Sequence, residues 1–118
     1  MTGRILQNNT IIEVRQGDSF TIRMHFHKDN EDIDLTNAKV NMQVRRSDDS
    51  IVFDLAAVSI EAEKGMVALL LTPTQTNNDV GDYKTDIQVT FEDGSVNTVF
   101  PQDVNKIGVF RITEQVTR

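Results

Sequence analysis

His25 and His27 are the only two histidines of this 118-residue chain. Their i, i+2 spacing on a strand would point both rings to one face, a pattern that transition-metal sites use. Such a site needs at least one more ligand held close by, and the sequence assigns none. The two histidines alternate with Phe20, Ile22, Met24 and Phe26, so solvated strand positions behind an apolar face explain them without a metal. The acidic run Asp29-Asn30-Glu31-Asp32-Ile33-Asp34 has the composition of a calcium loop. It lacks glycine at the sixth position and carries Val40 where the twelfth would be glutamate. A solvated loop accounts for it, with calcium held between loops as the open alternative. Asn8-Asn9-Thr10 fits an N-glycosylation pattern, which means little without a secretory leader.

The other routes to catalysis are missing. The chain has no cysteine, hence no thiolate nucleophile, disulfide framework or thiolate metal site. It contains no G-x-S-x-G, H-E-x-x-H or P-loop pattern. Carboxylates are plentiful, but nothing anchors a glycosidase pair. Tyr83 could be read as a catalytic phenol, yet its surroundings give it a structural role. We expect no enzyme, no catalytic residue, no cofactor and no resident metal.

The elements that position these residues are strands. Residues 10–14 form a first strand, ended by Gln16-Gly17-Asp18. Phe20, Ile22, Met24 and Phe26 then alternate with Thr21, Arg23, His25 and His27, the cleanest period-2 pattern in the chain. Ala38, Val40, Met42 and Val44 alternate with Lys39, Asn41, Gln43 and Arg45. Ile51, Phe53 and Leu55 carry a partner strand, residues 56–60 an irregular or edge strand, and residues 66–71 a strand buried on both sides at one end. Tyr83, Thr85, Ile87, Val89 and Phe91 face one way on the next strand, with Lys84, Asp86, Gln88 and Thr90 opposite. Asp93-Gly94 marks a tight hairpin. Pro101 interrupts the strand that follows, and residues 106–113 form the last one, with Gly108 a bulge position.

Between the strands at 66–71 and 83–91 lies a corner. Thr72 serves as N-cap, Pro73 suits the first helical position, and Gln75 completes a capping box. Asn77, Asn78 and Asp79 stop the turn, Gly81 permits a bend, and Tyr83 takes the place of the tyrosine that hydrogen-bonds back across this connection in immunoglobulin domains. The expected fold is all-β: an immunoglobulin-like Greek-key β-sandwich of about 7–9 antiparallel strands, with one short helical turn near residues 73–78. Residues 1–9 would be a flexible N-terminal arm, 10–113 the sandwich and 114–118 a C-terminal tail.

One domain suits this length. Eighteen acidic against 12 basic residues give a net charge of −6, which opposes phosphate-driven nucleic-acid binding and attachment to anionic membranes. No apolar run approaches a transmembrane span, and the N-terminus lacks the apolar stretch of a signal peptide.

Several segments together resemble the N-terminal domain of upper baseplate proteins of tailed bacteriophages and its stand-alone, small immunoglobulin-like relatives. They are Val14-x-x-Gly17-Asp18-x-Phe20-x-Ile22, Asp34-Leu35-Thr36-x-Ala38, Leu69-x-Leu71-Thr72, Gly81-x-Tyr83-x-x-Asp86-Ile87-Gln88 and Asp93-Gly94-x-Val96-x-Thr98. The resemblance spans most of residues 11–113. It implies a virion structural or assembly protein of the tail, baseplate or neck, made and assembled in the bacterial host cytoplasm. Such a protein acts through self-association or contacts with other virion structural proteins, and the family offers no catalytic residues. Members often carry this sandwich ahead of a fibre-like region. This chain ends five residues after Thr113, so a stand-alone accessory role is equally compatible.

Val99, Phe100, Val109 and Phe110 crowd more apolar surface near the last strands than one core face can hold, which makes them the expected interaction residues. The alternative class is a ligand-binding module, such as a carbohydrate-binding or cell-surface adhesion domain. That reading needs exposed aromatics or calcium, and the chain has one Tyr, six Phe and no Trp.

Overall fold

Alternating side chains set most of the strands. The computed structural model describes residues 4–5, of which only the backbone pairing is described, 10–101 and 107–114. The first part of the chain gives β1 (Arg4–Ile5), β2 (Ile11–Arg15), β3 (Phe20–His25), β4 (His27–Lys28), β5 (Glu31–Asp32), β6 (Lys39–Arg45) and β7 (Ile51–Ala56). There follow β8 (Val58–Glu61), a 3-10 turn at Ala62–Lys64, β9 (Met66–Leu71), α1 (Pro73–Thr76), β10 (Gly81–Thr90), β11 (Val96–Phe100) and β12 (Gly108–Thr113).

The strands form two principal sheets. The larger runs β1-β2-β12-β10-β6-β7, with β11 added to β10, and the smaller runs β3-β9-β8. Successive strands cross between them: β2 lies in the large sheet, β3 in the small, β6 and β7 in the large, β8 and β9 in the small, and β10 to β12 in the large. That is an immunoglobulin-like Greek-key β-sandwich. The pairings within both sheets are antiparallel except for β2 against β12, which is parallel from Ile11 opposite Val109 to Arg15 opposite Thr113.

The core lies between the sheets. Ile12, Val14, Val40, Met42, Val44, Ile87, Val89, Phe110 and Ile112 come from the large sheet, and Phe20, Ile22, Val67, Leu69 and Leu71 from the small one. Val67, Ala68 and Leu69 are buried in succession, because β9 is the central strand of its sheet. β8, in contrast, is an edge strand exposed throughout.

Several boundaries differ from expectation, each for a local reason. Arg4 and Ile5 of the supposed arm pair with Glu13 and Ile12; the rest of 1–9 lies outside the described residues, as do 102–106 and 115–118. The last strand starts at Gly108, which is not a bulge. A Cβ there would stand 2.4 Å from the Thr85 carbonyl oxygen and 2.9 Å from the Phe100 ring, so glycine permits close approach. Register shifts fall instead between Ile87 and Gln88 opposite β11, between Val44 and Arg45 opposite β7, and between Ser59 and Glu61 opposite β9. β10 is ten residues long because two strands share one of its edges: β12 pairs with 81–85 and β11 with 87–90. The tight hairpin at Asp93-Gly94 is present as a three-residue connection, closed by Gly94 N–H to Phe91 O and Phe91 N–H to Ser95 O, with Gly94 at φ 89°.

Candidate interaction surfaces

The corner is built as its residue types suggest, in a turn of four residues. Thr72 N–H donates to Gln75 Oε1 at 2.8 Å, and Pro73 occupies the first turn. Thr76, fully buried, donates its hydroxyl to Asp18 O at 2.7 Å and so ties the turn to the β2–β3 connection. Gln16 Nε2 donates to Asn78 O at 2.9 Å from the same side. Gly81, at φ 147°, leads into β10, and Tyr83 donates its hydroxyl to Asp79 O at 2.6 Å. Burial, aided by the Asp79 charge, pushes the Tyr83 phenol above its usual pKa. A phenol held this way is a brace and not a base.

The acidic segment is a hairpin rather than an open loop. His27 and Lys28 pair with Asp32 and Glu31, while Asp29 and Asn30 take φ values of 52° and 67°. Short side chains that tolerate the left-handed region suit such a turn. The hairpin carries Asp32 back to His25, whose Nε2 lies 2.7 Å from Asp32 Oδ1, and the His25 and His27 rings meet edge-on with centroids 5.5 Å apart. Among the described residues no three His, Asp or Glu side chains form a group that could hold a metal ion. Several other aspartates serve turns: Asp34 accepts from Thr36 N–H, Asp48 from Ser50 and Asp93 from Ser95. Hydrogen bonding from the side chains of Thr36, Ser50 and Ser95, and then from their backbone N–H groups, holds all three carboxyls below the usual range.

The four expected contact residues divide in two. Phe110 is fully buried and meets Phe53 edge-to-face at 5.8 Å, and Phe100 is 7% exposed. Both are core residues and unavailable for docking. The apparent crowding arose because Phe100 and Phe110 sit on different strands that reach the same core from β11 and β12. Val99 and Val109 are half-buried, with Val109 on the outer face of the large sheet.

That outer face carries several cross-strand polar contacts. Arg111 lies between Glu13 and Asp82 in register, and its guanidinium grips the Asp82 carboxylate at 2.8 and 3.2 Å. The pairing holds Asp82 below and Arg111 above their ordinary pKa values. Asp54 accepts from Asn41 Nδ2 at 3.3 Å and Gln43 Nε2 at 3.1 Å, and Arg45 Nε donates to Gln43 Oε1 at 2.6 Å. Lys84 Nζ reaches Asp49 at 2.9 Å. Asp86 stands half-buried among them; burial pushes its carboxyl up, Arg45 opposes this, and Asp54 adds to it. The alternation of β6 and β10 already marks these side chains as outward. Which residues face each other across strands depends on register, which the sequence does not state. Exposed apolar residues also occur on the small sheet, at Val58, Ile60 and Leu70.

Residues 2–101 match the BppU N-terminal domain family. No curated protein matches the chain in sequence. Among solved structures, CopC from Methylosinus trichosporium OB3b is similar over 90% of this chain and 86% of its own, with a TM-score of 0.51 and 12% identity. Murine CRIg aligns over 90% of this chain and 92% of its own, with a TM-score of 0.42 and 12% identity. At this identity the likeness to CopC is one of fold alone.

Proposed function

Because the chain belongs to the BppU N-terminal domain family, a family of phage baseplate upper protein N-terminal domains, we propose that it is a non-enzymatic virion component. On this reading it acts through protein–protein contacts with itself or with other tail or baseplate proteins. The observation that carries the proposal is the family match across residues 2–101, nearly the whole sandwich. The chemistry of the described residues is consistent with it. Tyr83, Thr76 and the turn aspartates are committed to holding the backbone, and the outer face of the large sheet carries paired charges, as the polar part of a contact surface does. A carbohydrate-binding module would call for an aromatic platform, whereas all six Phe and Tyr83 are buried or half-buried.

The test is to purify intact particles of the phage encoding the chain and quantify the chain in them by mass spectrometry. Its recovery in gradient-purified particles, in fixed ratio to the major tail proteins, is the expected result. Its presence in infected cells but not in particles would refute the virion role.

A further inference from the structure

The outer face of the large sheet carries two adjacent rows whose characters complement each other. In the first row Lys84 of β10 lies opposite Arg45 of β6 on one side and Val109 of β12 on the other. In the second, two residues along β10, Asp86 lies opposite Gln43. Gly108 lies opposite Thr85, so Ile107, one residue earlier, reaches the level of Asp86. Ile107 is 69% exposed and lines the same shallow depression as Lys84, Asp86, Gln43 and Arg45. Column by column, the rows therefore read Val109, Lys84, Arg45 and then Ile107, Asp86, Gln43. Two residues along a strand separate them by roughly 6.8 Å.

A two-fold axis crossing the strands at the level of Thr85 would exchange these rows in a second copy laid face to face. Asp86 then meets the partner copy's Lys84, Gln43 meets its Arg45, and Ile107 meets its Val109, each contact occurring twice. We propose that this face is an isologous interface between two copies of the chain, with Lys84 and Asp86 its reciprocal charge pair and Ile107 its apolar anchor. The proposal rests on the reading of the chain as a structural protein that works by protein contacts, and it names the partner and the surface. The reciprocal pairing of Lys84 with Asp86 selects this face over the apolar patch at Val58, Ile60 and Leu70. The ion pair from Lys84 to Asp49 is exposed on both sides, so exchanging it for Asp86 of a partner costs little. Asp86 gains a counter-charge that Arg45 of its own copy supplies only in part.

Sedimentation equilibrium of the whole chain over a wide concentration range tests the proposal, with the protein itself as the probe. The expected result is a monomer–dimer equilibrium that weakens as salt rises. Lys84→Glu and Asp86→Lys should each weaken dimerisation about tenfold or more, because each sets like charges against each other across the axis. The double variant restores opposite charges across the axis and should recover most of the affinity. Far-ultraviolet circular dichroism checks that all three variants fold. A wild-type monomer at every concentration, an oligomer indifferent to both single substitutions, or a double variant no better than the singles would each overturn the interface. None of these results bears on whether the chain is found in particles, so the two proposals fail separately.

Discussion

Tyr83 shows what a single hydroxyl can do at a turn. It bridges to Asp79 O over the connection that Thr76 anchors from the other side, so the β9–β10 link is held at both ends. Tyr83→Phe keeps the ring and removes the bond, and should lower unfolding free energy by about 1–2 kcal/mol in urea titrations. A loss within error would mean that the turn is fixed without it. Asp82 and Asp86, four positions apart on β10, should answer pH in opposite senses. The bond to Arg111 lowers the folded pKa of Asp82 from 3.8. Its stabilisation is therefore present in full above the unfolded value and is lost as pH falls through the folded one. Burial raises the folded pKa of Asp86 above 3.8, so its ionised form is a penalty at neutral pH. That penalty is relieved as pH falls through the folded value, and the relief is complete below 3.8. Read on the monomer by urea midpoints from neutral pH downward, Asp82→Asn should lower stability at neutral pH and Asp86→Asn should raise it. Shifts of the same sign would contradict this account.

At the level of elements, β10 is the strand the others are fitted to. It pairs with β6 along one edge and divides the other between β12 and β11, and the transition is where Gly108 lies against Thr85 and Phe100. Gly108→Ala would push a methyl group to 2.4 Å from a backbone oxygen, and a carbonyl in a paired strand has little room to give. A loss of about 2–3 kcal/mol is expected by urea denaturation; a tolerated alanine would show that β12 can shift. This element also marks how far the sequence can be read. Its alternation, the proline after α1's N-cap and the tyrosine two residues past Gly81 are local signals, and they specify strands, corner and fold class. The hairpin at Asp29 and Asn30 escaped such reading, since acidic residues suit a solvated loop and a left-handed turn alike. The burial of Phe100 and Phe110 escaped it too, because apolar residues on neighbouring strands look like surplus until one sees that both strands flank β10. Cross-strand neighbours such as Arg111 with Asp82, or Asp54 with Gln43, lie too far apart in sequence for any local pattern to reveal them.

For the whole molecule, the parallel ladder between β2 and β12 joins the second strand of the sandwich to its last. Val109 N–H donates to Thr10 O at 2.7 Å at one end, and Gln16 N–H donates to Thr113 O at 2.9 Å at the other. Because the two strands run in the same direction, tension applied through residues 10 and 114 draws them lengthwise past each other. The bonds between them then carry the load together instead of opening one by one. Single-molecule pulling between these positions should give a high rupture force. Val109→Pro, which deletes the bond to Thr10, should lower that force more than Tyr83→Phe does; an equal drop would place the resistance elsewhere. A sandwich fastened in this way is suited to transmit traction along these two strands without opening, a mechanical property that its thermodynamic stability alone would not reveal.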